Sequence, residues 1–173
     1  MPHLTSDPYA LRDHYQSLDL PDLPDLHRTV AAAMTGQGKG DLRRARAIKA
    51  FTDWLVATLP PPDADGLLAN ALAELVDGDP TVLQVQDAAS RLNVSARTLQ
   101  RLARRHVGLS PAAMIRRRRL QEAAERLRTN PDADLATVAA ELGYADQAHL
   151  SGDFRAVLGF TPSSYRASCP TRG

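Results

Sequence analysis

The chain has 173 residues, of which 43% are hydrophobic and 24% charged, and its formal net charge is +1. This length allows one or two small domains, and the single cysteine, Cys169, excludes both an intramolecular disulfide and a metal site with several thiolates. No apolar run approaches the length of a transmembrane helix and no signal peptide is evident, so we expect a soluble, cytoplasmic protein with no membrane partner.

The charge is distributed unevenly along the chain. Residues 1–79 carry 7 Lys+Arg against 12 Asp+Glu, whereas residues 80–173 carry 14 against 8. An acidic part beside a basic part is typical of an appendage on a nucleic-acid-binding domain. Moving the boundary to residue 62 leaves the C-terminal part near +1, so the basic signal is a patch and not a property of a whole domain.

The first 62 residues predict a short helical N-terminal region. Prolines delimit two short helical stretches, over 8–17 and 25–34, and the glycine-rich segment 36–40 is a flexible break. Asp41 is the expected N-cap of a helix through Leu59, which three consecutive prolines end. We therefore place the domain boundary after residue 62.

The helix over 41–59 carries an apolar stripe that could form a homodimer. Phe51 and Trp54 are expected in a core or interface and not in an effector pocket, because they recur at helical spacing with other apolar residues. The stripe consists of Leu42, Ala45, Ile48, Phe51 or Thr52, Leu55 and Leu59, with Trp54 beside it.

The remainder of the chain, residues 63–168, predicts an all-α domain of seven helices, followed by a tail over 169–173. Ala and Leu recur at helical spacing, and no segment alternates strictly between apolar and polar residues. Caps and glycines punctuate the helices at fixed places. The expected helices run from Asp63 or Asp65 to Val76, then over 85–92, 95–106, 110–129, 134–142, 147–158 and 162–168.

Two segments of this domain, 85–106 and 134–158, predict helix-turn-helix units. Asn93 and Gly143 can both adopt the left-handed conformation that the turn of such a unit needs. The two units also share an apolar pattern suited to the angle between crossing helices. Its members are Ala88, Ala89, Leu92, Val94, Leu99 and Leu102 in the first unit, and Val138, Ala139, Leu142, Tyr144, Leu150 and Phe154 in the second.

Particular residues around both units occur in the order of a known family. They are Ser95, Thr98–Arg101 and Gly108–Pro111 in the first unit, and Gly143-Tyr144, Phe154-Arg155, Gly159, Thr161-Pro162 and Tyr165-Arg166 in the second. Through them, residues 63–168 resemble the C-terminal DNA-binding domain of AraC/XylS-type transcription regulators. The resemblance implies two recognition helices that enter successive major grooves on one face of double-stranded DNA.

The same resemblance implies which residues contact DNA. Base contacts are expected from Arg97, Gln100 and Arg101 in the first unit, and from the positions Gln147, Ala148 and His149 in the second, with Gln147 and His149 as the polar readers. Arg and Gln have the hydrogen-bond geometry for guanine and adenine edges. Phosphate contacts are expected from Ser95, Arg104, Arg105, Arg116, Arg117 and Arg155.

The second recognition helix departs from the family pattern. Gly152 stands where an arginine is usual, and Asp153 beside it would repel phosphates. In the first unit, Ala103 replaces a large aromatic residue. We therefore expect the first recognition helix to supply most of the specificity.

Four consecutive arginines, Arg116–Arg119, lie on the helix between the units. Four successive residues point around a whole helix, so they cannot share one face. A phosphate contact by at least one of Arg116, Arg117 and Arg118 and a solvated face are both open, whereas the family pattern favours a structural role for Arg119.

We expect no enzymatic activity, no cofactor and no metal. No catalytic cluster is evident, and neither His106 nor His149 has a second ligand at metal-binding spacing. The sequence thus predicts a sequence-specific bacterial transcription regulator that contacts DNA, with RNA polymerase as a second candidate partner. The alternative is a protein-interaction modulator of a longer relative, with weak or lost DNA binding.

Relatives of this type often carry an N-terminal sensor or dimerisation domain of β-barrel type. Residues 1–62 are too short and too helical for one, and they resemble the helical tail that would follow it. A natural short form, a remnant and a late start of the chain all remain open.

Overall fold

The computed structural model describes Pro8 and residues 22–168, and this part of the chain contains nine α-helices and no strand. The predicted all-α class is therefore confirmed. The predicted helix over 8–17, apart from Pro8, and the tail over 169–173 with Cys169 lie outside the described residues. No described helix is long and apolar enough to cross a membrane. The helices are α1 (Leu23–Thr35), α2 (Gly40–Thr58), α3 (Ala64–Gly78), α4 (Val85–Arg91), α5 (Ala96–Val107), α6 (Pro111–Thr129), α7 (Leu135–Glu141), α8 (Gln147–Leu158) and α9 (Pro162–Ser168).

The chain divides into two compact units between Asp65 and Gly66. In the first unit, α1 packs against α2. Pro24 does not precede α1, as the prediction of a helix over 25–34 assumed, but lies in its first turn. A proline is tolerated there because its missing N–H would have no partner within the helix.

Helix α2 starts earlier than predicted. Its N-cap is Lys39 and not Asp41, whose carboxylate lies inside the first turn, 3.6 Å from the guanidinium of Arg44. The predicted apolar stripe is also largely uncovered, since Ile48 is 59% exposed and Phe51 48%, whereas the buried residue of α2 is Ala47. Trp54 is half-buried beside Phe51, with 6.1 Å between the ring centroids.

The second unit contains α3 to α9 and two hydrophobic clusters. The first cluster joins α3, α4 and α5, and the second joins α7 and α8. Helix α6 contributes to both, with Ile115 in the first cluster and Leu120 and Leu127 in the second. Burial of each such side chain contributes about 1.5–3 kcal/mol to folding stability. Helix α6 therefore packs as part of both clusters and is not a flexible linker between them.

Local capping fixes where the helices of this unit begin. The hydroxyl oxygen of Ser95 accepts from the backbone N–H of Thr98 at 3.0 Å, and that of Ser110 accepts from Ala113 at 3.2 Å. Pro111 then occupies the first turn of α6. These caps were predicted from the sequence and are confirmed.

Candidate nucleic-acid interface

The two helix-turn-helix units have the same backbone turn. Asn93 has a φ of 53° and Gly143 a φ of 74°, both left-handed. The next residue in each unit donates its backbone N–H back to the first helix, Val94 to Ala89 at 3.0 Å and Tyr144 to Ala139 at 2.9 Å. The predicted left-handed positions are thus confirmed, and each turn sets the crossing of the helix that follows.

The recognition helices α5 and α8 can be aligned by their ends. Ser95 caps α5 and Asp146 caps α8, each through a side-chain oxygen that accepts from a backbone N–H three residues on. Left-handed glycines close both helices, Gly108 at φ 76° and Gly159 at φ 84°. Aligning the two N-caps and aligning the two closing glycines give the same offset. Each residue of α5 therefore matches the residue of α8 that lies 51 positions later in the chain.

The exposed face of α5 is strongly basic. All of its members are exposed and follow one another at three- and four-residue spacing, so they form one stripe along the helix. The opposite face is buried through Leu99 and Leu102. The stripe consists of Arg97, Gln100, Arg101, Arg104 and Arg105.

The matching face of α8 carries little charge. Arg97, Gln100 and Arg101 of α5 match Ala148, Ser151 and Gly152, and Arg155 is the single arginine or lysine of this helix. Gln147 and His149 are exposed at its first turn, where the His149 ring meets the Tyr144 ring edge-on at 5.3 Å. The sequence alone does not indicate Ser151 as a matching position, whereas the shared helix ends do.

Asp153 lies on α8 close to a side chain of α6. When α5 and α8 are aligned by their ends, Asp153 matches Leu102, which is fully buried in the first helix-turn-helix unit. The Asp153 side chain is only 21% exposed, and its carboxylate is 3.8 Å from the guanidinium of Arg116 on α6. The Asp153 carboxylate thus has a partner within the domain, and its repulsion of phosphates stays a prediction.

The four consecutive arginines of α6, Arg116–Arg119, have four different environments. Arg118 is buried and donates to the carbonyl oxygens of Val82 at 3.0 Å and Pro80 at 3.3 Å, so it is not available to phosphates. Arg119 lies over the ring of Tyr144, with its guanidinium carbon 3.8 Å from the centroid. Arg116 pairs with Asp153, and Arg117 is exposed.

Electrostatics around Tyr144 agree with this packing. Burial raises the pKa of the Tyr144 hydroxyl, and the nearby positive charge of Arg119 opposes that rise. The Nε and Nη2 atoms of Arg119 are buried and have no hydrogen-bond partner among the described residues. The ring face of Tyr144 is thus a main electrostatic contact of this guanidinium, as expected for a cation–π pair.

The remaining candidate contacts are all exposed on the surface of the second unit. Ser95 lies at the start of α5, Arg104 and Arg105 lie in its last two turns, and Arg155 lies on α8. The described residues contain no group of three or more His, Cys, Asp or Glu placed to hold a metal ion. What the surface offers is hydrogen-bond donors and positive charge, concentrated on α5.

Comparison with known proteins identifies this domain. Residues 88–168 match the family model of a helix-turn-helix domain. The chain is 34% identical over 125 residues to an AraC-like transcription regulator of Streptomyces lividans. The aligned region covers 72% of this chain and 39% of that protein. The chain is 33% identical over 104 residues to the HTH-type transcriptional activator RhaS of Escherichia fergusonii, covering 60% of this chain and 37% of the relative.

A third relative is the raffinose operon transcriptional regulatory protein RafR of Pediococcus pentosaceus, 31% identical over 98 residues, or 57% of this chain and 35% of that protein. The matches thus span less than half the length of each of these relatives. The paired turns, the matched recognition helices and these similarities agree, and residues 88–168 are a helix-turn-helix domain of the AraC/XylS type, similar to that of AraC-like transcription regulators.

Proposed function

We propose that this chain is a sequence-specific regulator whose helices α5 and α8 enter two successive major grooves on one face of the duplex. The observation that carries the proposal is the basic stripe on the exposed face of α5, in a helix whose other face is fully buried. Arginine can donate two hydrogen bonds to a guanine edge, and glutamine can pair with adenine. The stripe therefore supplies both base recognition and phosphate attraction.

The length of α6 supports contact with two grooves. It has 19 residues, which at the rise of an α-helix corresponds to about 28 Å. Successive major grooves on one face are about 34 Å apart, and the width of the flanking helices makes up the difference. The low charge of α8 supports an unequal division, in which α5 makes most base contacts.

Substitutions on α5 test this proposal. Arg97→Ala or Gln100→Ala should each weaken binding by about 1–3 kcal/mol and relax preference at one base pair, because a bidentate contact is lost there. The measurement is fluorescence anisotropy with a selected site and its single-base variants. Arg128→Ala is the matched control, because Arg128 is a basic side chain that pairs with Glu125 on its own helix α6. Unchanged preference in both α5 variants would contradict the assignment of α5.

Activation through RNA polymerase is part of this proposal. The RhaS relatives are named as transcriptional activators. We expect the protein bound at its operator to raise transcription from an adjacent promoter in a purified system. Transcription that falls when the operator is occupied would indicate a repressor.

The exposed stripe on α2 favours a second candidate function, association with another copy of this chain. Leu42, Ile48 and Phe51 are each about half exposed, which is unusual for side chains of this size along one helix. Phe51→Lys should then shift a dimer to monomer in equilibrium sedimentation. A wild-type chain that is monomeric at micromolar concentration would contradict this candidate.

Salt dependence separates DNA binding from a mainly protein-binding role. Contact with several phosphates releases counterions, so DNA affinity should fall steeply between low and physiological salt. Association through an apolar stripe should change little over that range. DNA affinity that is weak and insensitive to salt would favour the role of a protein-interaction modulator.

A further inference from the structure

We propose that the arginine run of α6 is a bracket that fixes the spacing between the two recognition helices. This inference rests on the proposed contact with two grooves. Three of the four side chains attach α6 to its neighbours, and they do so within little more than one helical turn. We call Arg116, Arg118 and Arg119 the bracket arginines.

Arg118 attaches α6 to the segment that leads into the first helix-turn-helix unit. Its guanidinium donates to two backbone carbonyls in the segment that leads into α4, those of Pro80 and Val82, and to the carboxylate of Glu122 at 3.2 Å. Val82 is itself fully buried in the first hydrophobic cluster. A planar group held by three acceptors leaves the segment before α4 little freedom to rotate about α6.

Arg116 and Arg119 attach α6 to the second helix-turn-helix unit. Arg119 covers the ring of Tyr144, the residue that leaves the turn between α7 and α8. Arg116 faces Asp153 on α8 itself. Two residues of α6 that lie within one helical turn therefore contact the second helix-turn-helix unit at two places. One is the turn before α8, and the other is the middle of α8.

The sequence favours a structural role for Arg119 alone and leaves phosphate contact open for Arg116 and Arg118. The structure instead directs all three to fixed partners on both sides of α6. A bracket of this kind predicts that the protein tolerates little change in the distance between its two half-sites. Inserting a single base pair both rotates and displaces the second half-site, which a rigid pair of recognition helices cannot follow.

The test is a spacing series. Duplexes carry both selected half-sites at the selected spacing, at one base pair less, and at one and two base pairs more, and a further duplex has the second half-site scrambled. The variants are Arg118→Lys and Arg119→Lys, which keep the positive charge and hence the attraction to phosphates. Arg128→Lys is the matched control, since Arg128 lies on the same helix and pairs with Glu125.

We expect the wild-type protein and Arg128→Lys to lose about tenfold in affinity for each duplex of altered spacing, on the scale of one charge-assisted hydrogen bond. The bracket variants should lose affinity at the selected spacing and show a flatter profile across the series. Bracket variants with the wild-type profile would overturn the inference alone. If scrambling the second half-site left wild-type affinity unchanged, the proposed function would fail and the inference with it.

Folding is checked for each variant by circular dichroism, because Arg118 is buried. Asp153→Asn provides an independent variant, since the Asp153 side chain is partly exposed and its loss removes the pair with Arg116. A flattened spacing profile in Asp153→Asn and Arg119→Lys supports the bracket even where Arg118→Lys does not fold. A wild-type profile in both overturns it.

Discussion

Gly152 and Gly159 provide a paired test of how α8 is built. A methyl group added at either glycine would meet no atom within 4 Å, so packing does not distinguish them. They differ in backbone conformation, because Gly152 lies inside α8 whereas Gly159 closes it at φ 84°. Alanine is better than glycine in a helix interior, but it is strained in the left-handed region.

The magnitudes follow from this difference. Gly152→Ala should stabilise the compact unit formed by α3 to α9 by about 0.8–1 kcal/mol, which is the difference in helix propensity between alanine and glycine. Gly159→Ala should destabilise it by about 1–2 kcal/mol, the cost of a left-handed conformation for a residue with a Cβ. For a unit of this size each kcal/mol corresponds to a change of about 4–8 °C in Tm.

Thermal and urea unfolding, followed by far-ultraviolet circular dichroism, measure both variants. Tryptophan fluorescence is a poorer probe, because the single tryptophan, Trp54, lies on α2 in the other unit. Opposite signs for the two variants are the expected result. Equal signs, or a loss of stability in Gly152→Ala, would refute the assignment of Gly152 to a regular, solvent-facing helical position.

Three further substitutions extend the account to the interface and the turn. Gly152→Arg places an arginine at the position that matches Arg101, so DNA affinity should rise and the salt dependence should steepen by about one released counterion; affinity equal to that of Gly152→Ala would count against a DNA-facing position. Gly143→Ala should lower Tm, because φ is 74° and the added Cβ would lie 2.8 Å from a methyl carbon of Leu83; an unchanged Tm would show that the turn relaxes. Ser95→Ala should cost about 1 kcal/mol of stability through loss of the cap on α5, and a cost near zero in chemical unfolding would contradict that capping role.

The helices of the second unit could be predicted because their ends are marked locally. A cap such as Ser110 followed by Pro111, or a closing glycine such as Gly159, acts within a few residues of its own position. The same local logic failed at the start of α2. Asp41 is a good capping residue by type, but the N-cap lies two residues earlier, at Lys39, and the Asp41 carboxylate interacts with Arg44 instead.

The partners of the α6 arginines could not be predicted from the sequence. The carbonyl that Arg118 contacts at Val82 is 36 residues away in the chain, and Asp153 lies as far beyond Arg116 on the other side. Helical periodicity shows that the four side chains point in different directions, but it does not show what lies in each direction. The pairing of Asp153 with Arg116 could not be foreseen for the same reason, since the neighbours of Asp153 on α6 are set by the crossing of two helices.

The face of α2 that contacts its surroundings also escaped prediction. Apolar spacing indicated a stripe through Ile48 and Phe51, yet the buried position is Ala47. A helix can bury small residues and leave large ones exposed, depending on which of its faces a neighbouring helix covers. The exposed stripe is the basis for the dimer candidate.

The most direct test of the central claim is selection of bound sequences from a random pool of double-stranded DNA, with purified protein at near-physiological salt. We predict an enriched motif with two half-sites about 10 base pairs apart, the stronger half-site containing the G·C and A·T pairs that arginine and glutamine recognise. One enriched half-site alone would contradict contact with two grooves, and a pool with no enriched motif would contradict sequence-specific binding altogether.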